Sequence, residues 1–181
     1  MNVRSNQRHA MKHIFGLLIA LVSLPLMALE VGEPAPDFSL QASDGKTYSL
    51  ADYKGKQAVV IAWYPKAFTK GCTIECKSLA ENGDMIRAYD VAYFMASTDE
   101  VETNTKFAEE QGADFPLLSD PDGEVAKAYD VLIPVMNVAR RVTVYIGKDG
   151  RILKVDKEIH PATSAEDIAR TLDELGVARK D

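Results

Sequence analysis

The only thiols in this chain of 181 residues are Cys72 and Cys76, and both fall in the short run Thr69-Lys70-Gly71-Cys72-Thr73-Ile74-Glu75-Cys76. A thiol is a nucleophile only as its thiolate. An ordinary cysteine, with a pKa of about 8.5, is about 3% ionised at pH 7, and one lowered to roughly 6 is about 90% ionised, a difference of about 3.4 kcal/mol. Residues 58–62, Ala58-Val59-Val60-Ile61-Ala62, read as a buried strand, and residues 72–80 as the first turns of a helix. Cys72 is therefore expected at a helix N-terminus, where unpaired backbone N–H groups and the positive end of the dipole favour an anion. A helix end does not supply the whole difference, so a cationic partner is expected elsewhere in the chain.

The first residues differ in kind from the rest. Arg4, Arg8 and Lys12 precede an apolar run over residues 14–26, followed by Pro25-Leu26-Met27-Ala28, which matches the charged, apolar and cleavage regions of a secretory signal. The run is short for a membrane span. The expected organisation is a signal peptide over residues 1–28 and one domain over residues 29–181, with export to a bacterial periplasm; an uncleaved membrane anchor is the alternative. Cleavage would leave 153 residues, enough for one core, and loss of the three basic residues takes the net charge from −6 to −9. An acidic chain with no basic cluster argues against nucleic acid as a partner. Two cysteines are too few for a disulfide framework, and two thiolates with His160 are too few for zinc, so neither metal nor cofactor is expected.

The elements that must position Cys72 follow from the pattern. Phe38/Leu40 and Tyr48/Leu50 alternate on either side of Asp44-Gly45, a hairpin signal. After the cysteine helix, which Asn82-Gly83 ends or interrupts, comes an apolar strand over residues 91–97. Ser97-Thr98-Asp99-Glu100 reads as a capping box opening a helix that ends near Gly112, and a short strand over residues 115–118 completes a βαβ rhythm. A short helix at 125–129, a second hairpin of 142–146 with 152–155, and a terminal helix opened by a capping box at Ser164-Ala165-Glu166-Asp167 and stopped at Gly176 finish the chain. These add up to an α/β fold, a central mixed sheet flanked by helices with an N-terminal hairpin, consistent with a thioredoxin-like fold.

Pro65-Lys66-Ala67-Phe68-Thr69-Lys70-Gly71-Cys72 resembles the peroxiredoxin motif P-x-x-x-T/S-x-x-C, and Tyr64-Pro65-Lys66-Ala67 with Gly71-Cys72-Thr73-Ile74-Glu75 is similar to the bacterioferritin-comigratory-protein branch. Gly32-Glu33-Pro34-Ala35-Pro36-Asp37-Phe38, Phe115-Pro116-Leu117-Leu118-Ser119-Asp120 and Arg141-Val142-Thr143-Val144-Tyr145-Ile146 extend the resemblance over nearly all of residues 31–176. It implies a thiol-dependent peroxidase acting on hydrogen peroxide or alkyl hydroperoxides, in which Cys72 attacks the peroxide and becomes a sulfenic acid. It further implies that Thr69 offers its hydroxyl to thiolate and peroxide, Pro65 shields the site, Arg141 is the missing cation and Glu75 holds that arginine. The resemblance also implies the choice between neighbours, since the family's spacing of two residues before Thr143 selects Arg141 over Arg140.

Cys76 is expected to resolve the sulfenic acid as an intramolecular disulfide, although this branch often places its second cysteine five residues after the first rather than four. In an intact helix the two Cβ directions run nearly parallel, so bonding requires the helix start to unwind. The expected partners are a peroxide and a thioredoxin-like or other thiol reductant, for a monomer or weak dimer. Two rivals are a periplasmic thiol–disulfide oxidoreductase, which typically carries C-x-x-C, and a copper chaperone resembling the Sco proteins, which carry C-x-x-x-C. In the second, a histidine ligand is expected near the position that Arg140-Arg141 occupies here, while His160 lies downstream and reads as a solvated turn residue.

Overall fold

A computed structural model describes residues 29–180; the expected signal segment and its cleavage site lie outside them. The first hairpin forms as its alternation predicts, with β1 (Ser39–Ala42) antiparallel to β2 (Thr47–Ser49) and Leu40 opposite Tyr48. Its turn is fixed locally. Gly45 takes a positive φ of 78°, and Asp44 accepts from the Lys46 N–H and the Tyr48 hydroxyl. A 3₁₀ turn over Leu50–Asp52 leads to β3 (Ala58–Trp63), every residue of which is buried.

Helix α1 (Lys70–Asn82) follows, then α2 (Asp84–Arg87), so Asn82-Gly83 interrupts the helix rather than ending it. Gly83 keeps a helical backbone, and a Cβ there would stand 2.6 Å from both the Leu79 carbonyl and the Tyr93 hydroxyl. Strand β4 (Val91–Ser97), helix α3 (Val101–Gln111), β5 (Leu117–Ser119) and α4 (Glu124–Ala128) come next. The short β6 (Leu132–Ile133) and β7 (Val138–Ala139) pair with each other outside the main sheet, a feature the sequence pattern does not announce. The second hairpin is β8 (Val142–Ile146) with β9 (Ile152–Asp156), and α5 (Ser164–Glu174) closes the described chain after a 3₁₀ turn at Pro161–Thr163.

Both capping boxes need correction. Helix α3 begins at Val101, because Ser97 is the last residue of β4 and spends its hydroxyl on Asp99 and Asn104 instead of on a helix start. Helix α5 is preceded by Thr163, whose hydroxyl donates to Asp167 at 2.8 Å, and Ser164 is already helical and buried. Thr163 therefore takes the N-cap position, one residue before the one the pattern gives, and makes no capping bond to a helix N–H.

The main sheet has the order β2-β1-β5-β4-β3-β8-β9 and is mixed: β3, β4 and β5 are parallel, and every other pairing is antiparallel. Because side chains alternate along a strand, β3 divides its residues between two cores. Ala58, Val60 and Ala62 join Cys72, Cys76, Leu79, Phe107, Ile168 and Leu172 on the face covered by α1, α2, α3 and α5. Val59, Ile61 and Trp63 join Leu50, Ala126, Tyr129 and Val142 on the other. The thioredoxin-like layering expected from the element order is the one observed. Among the described residues no helix is long and apolar enough to cross a membrane.

Candidate active site

The strand that carries the site ends by chemistry. The Tyr64 N–H still donates to the Ala96 carbonyl at 2.9 Å, and Pro65 has no N–H with which to continue. The chain then turns through residues 65–69, with Phe68 at a φ of 63°, a region few non-glycine residues occupy. Thr69 is the N-cap of α1, and its carbonyl accepts the Thr73 N–H at 2.9 Å. The helix thus starts two residues earlier than the sequence suggests. Cys72 sits inside the first turn, where backbone N–H groups have no intrahelical acceptor.

The Thr69 hydroxyl donates to the Lys66 carbonyl at 2.9 Å, not to Cys72, and Thr69 is exposed. Its proton is engaged, while its oxygen keeps lone pairs to accept from an incoming O–H. Pro65 lies half-buried at the start of the same turn.

The cation is Arg141. It lies in the bend between β7 and β8, and its Nη2 donates to Cys72 Sγ at 3.1 Å while Nη1 donates to the Glu75 carboxylate. Arg140 is exposed, and its guanidinium donates to the Leu132 carbonyl at 3.3 Å. Glu75, on the same face of α1 as Cys72, is fully buried, with the Ser164 hydroxyl 3.5 Å from its other oxygen. A Cβ at Gly71 would stand 3.1 Å from Arg141 Nη2, close enough to push the guanidinium by a few tenths of an ångström.

Cys76 is a free thiol, 0% exposed, as is Cys72. Burial first, and the charge of Cys72 second, push its pKa up to about 12. In this reduced, helical arrangement Cys76 is a protonated core side chain. The structure brings Cys72, Glu75 and Arg141 into contact, places Thr69 and Pro65 on the adjoining turn, and sets Cys76 one helical turn behind.

One residue at the site escapes the sequence pattern. Asp99, read there as part of a capping box, is 2% exposed and turns away from α3. Its Oδ2 accepts from the Ala67 N–H at 2.8 Å and from the Ser97 hydroxyl at 3.1 Å, and its Oδ1 lies 2.6 Å from the Lys66 ammonium. Behind it, Asn104 accepts from the Tyr64 hydroxyl at 2.5 Å and donates to Ser119 and the Leu118 carbonyl. The signal that could have found it is an acid placed after a buried strand that already ends in Ser97.

The geometry weighs on the rival chemistries. A thiol–disulfide oxidoreductase typically carries C-x-x-C, whereas the two thiols here stand four residues apart and the first is paired with a guanidinium. A copper(I) site needs donors around the thiolates, whereas a guanidinium occupies that place. His160 is exposed, with Nδ1 3.7 Å from Asp167.

A family model described as the AhpC/TSA family matches residues 31–155. The chain is 32% identical over 155 residues to Peroxiredoxin Bcp of Bacillus subtilis (strain 168), covering 82% of this chain and 98% of that protein. It is 35% identical over 130 residues to Peroxiredoxin Bcp of Escherichia coli (strain K12), covering 68% of this chain and 83% of that one. Among solved structures, Peroxidoxin BcpB from Mycobacterium tuberculosis superposes with a TM-score of 0.73 at 29% identity, covering 81% of this chain and 97% of that one.

Proposed function

This chain belongs to the AhpC/TSA family as a peroxiredoxin of the bacterioferritin-comigratory-protein branch, a thiol-dependent peroxidase, and from that premise we propose that Cys72 is its peroxidatic nucleophile. The observation that carries the assignment is the Arg141 N–H donated to Cys72 Sγ at 3.1 Å. In water the same charge would be solvated and screened. Here the guanidinium is aimed in advance at the atom that must be anionic, and it has Glu75 behind it to hold its direction.

The thiolate attacks the terminal oxygen of hydrogen peroxide or an alkyl hydroperoxide, and the S–O bond forms as the O–O bond breaks. The leaving hydroxide or alkoxide takes a proton and departs as water or alcohol, leaving Cys72 as a sulfenic acid. Arg141 stabilises the negative charge as it moves from sulfur to the leaving oxygen. The Thr69 oxygen, its own proton committed to Lys66, accepts the O–H of the incoming peroxide, while Pro65 keeps bulk water from the thiolate.

The sulfenic acid is then resolved by Cys76, which loses its proton once it leaves the core; its thiolate attacks Cys72 sulfur, the S–S bond forms as the S–O bond breaks, and the expelled hydroxide takes a proton and departs as water. The first turns of α1 open for this step, because in the intact helix the two Cβ directions run nearly parallel and the Cys76 thiol stays protonated in the core. A thioredoxin-like thiol reductant supplies two electrons to restore both thiols. The protein works as a monomer or weak dimer, exported to the periplasm by the segment of residues 1–28; recovery of a chain beginning at Leu29 from a periplasmic fraction tests the export reading.

Stopped-flow mixing of the reduced protein with hydrogen peroxide tests the function. Cys72 is expected to oxidise orders of magnitude faster than free cysteine, and Cys76→Ser to keep that step while losing efficient recycling. Oxidation at the free-thiol rate refutes the assignment of Cys72.

A further inference from the structure

The proposed roles of Cys72, Thr69, Pro65 and Arg141 leave unexplained why the connection from β4 to α3 sends a carboxylate toward the active-site turn. A carboxylate out of water is costly unless paired and hydrogen-bonded. Apart from Ser97 at the end of its own strand, the partners of Asp99 both belong to the turn that leads into Cys72: the Ala67 N–H at 2.8 Å and the Lys66 ammonium at 2.6 Å. A cap for α3 would direct its oxygens at the first N–H groups of that helix. These oxygens point the other way.

The turn itself needs restraint. Phe68 holds a φ of 63°, a conformation that persists in a non-glycine residue only where its surroundings over-determine it. The Phe68 ring is partly exposed and makes an edge contact with Phe107 at 5.1 Å between centroids, too little cover to hold the backbone by itself. The stronger restraints lie just before the turn and at its middle. Tyr64 is tied through its hydroxyl to Asn104, and Ala67 through its N–H to Asp99; Ser97 lies within hydrogen-bond distance of both Asp99 and Asn104. The Thr69 hydroxyl closes the turn on the Lys66 carbonyl.

We propose that Asp99 is a positioning residue for peroxide reduction: by accepting the Ala67 N–H it holds the 65–69 turn in the shape that presents Pro65 and the Thr69 oxygen to a peroxide at Cys72. This rests on the peroxidase reading above. Asp99 touches neither sulfur nor peroxide. Its loss lets Phe68 relax to negative φ and moves the Thr69 oxygen, while Arg141 and the helix start stay in place.

The test compares two reactions of Cys72 in each variant: oxidation by hydrogen peroxide, which needs the thiolate and the oriented Thr69 oxygen, and alkylation by iodoacetamide, which needs the thiolate and a way in to it but no oriented oxygen. Asp99→Ala is expected to slow oxidation about tenfold or more and alkylation less than twofold. Asp99→Asn, whose amide oxygen still accepts from Ala67, is expected to recover most of the loss. Asp99→Glu keeps the charge but pushes the acceptor out by a methylene, and it should lower the ratio of oxidation to alkylation at least threefold even if Asp99→Ala fails to fold. An unchanged ratio in a folded Asp99→Ala or Asp99→Glu protein, or equal slowing of both reactions, overturns the positioning role. Wild-type oxidation at the free-thiol rate would overturn the peroxidase reading instead, so the two failures are distinct.

Discussion

Arg141 joins Cys72 to a fully buried Glu75, so removing it has two separate consequences. The carboxylate loses its counter-charge, and breaking a buried pair costs about 3–5 kcal/mol of stability. The reaction loses a donor aimed at developing charge, a loss of about 10²–10³ in rate at comparable sites. Arg141→Ala is accordingly expected to lower both urea stability and the rate of Cys72 oxidation. Adding Glu75→Gln should return most of the stability, because no orphan charge remains, and leave the rate low. Recovery of the rate along with stability would reduce Arg141 to a structural role. Cys72 is legible in the sequence as a thiol at a helix start, while Thr69, Pro65 and Glu75 are reached only through the family resemblance of the segment that surrounds it. Arg141 is found only through the resemblance of a distant strand to the arginine-bearing strand of the family. Asp99 is missed because its main partner is a backbone N–H, which no pattern of side chains records.

Helix α1 sets a limit on how closely the cation can approach. Gly71 lies one residue before Cys72, and a Cβ there would press on Arg141 Nη2 at 3.1 Å. Alanine favours a helix over glycine by up to about 1 kcal/mol, so stability and activity should move in opposite directions in Gly71→Ala. The melting temperature is expected to hold or rise. Cys72 oxidation should slow about three- to tenfold, equivalent to about 0.7–1.4 kcal/mol in the barrier, as the guanidinium shifts by a few tenths of an ångström. An unchanged rate would show that the arginine has slack. The periodic elements, β3, β4, α1 and the hairpin of β8 with β9, are readable because burial imposes their spacing. The helix starts are not, since Ser97 satisfies a capping pattern by letter while its hydroxyl serves Asp99 and Asn104. Strands β6 and β7 are each too short to show an alternation.

At the scale of the whole molecule, the core on one face of the sheet contains the very sulfurs that the proposed disulfide must pull out. Closing so short a loop contributes about 2 kcal/mol by restricting the unfolded chain. Opening the start of α1 exposes Cys72 and Cys76 and separates Glu75 from Arg141, a loss of about 3–5 kcal/mol from the ion pair alone. The disulfide form should therefore melt below the reduced form, by about 3–10 °C in a domain of this size. The sign of the pH dependence follows from Cys76. Its pKa rises to about 12 on folding, because burial and the charge of Cys72 disfavour its thiolate. The stability it contributes is fully present below about pH 9 and is lost as pH rises toward about 12. Burial also pushes Tyr64, Tyr93, Tyr129 and Tyr145 up, but these titrate in both forms and largely cancel in the difference. In the disulfide Cys76 has no proton to release, so the gap in melting temperature should narrow as pH rises above about 9. Calorimetry of peroxide-treated and dithiothreitol-treated protein between pH 8 and about pH 10.5 measures that gap, and a gap that is absent at pH 8 or widens with pH would show that α1 does not open when the disulfide forms.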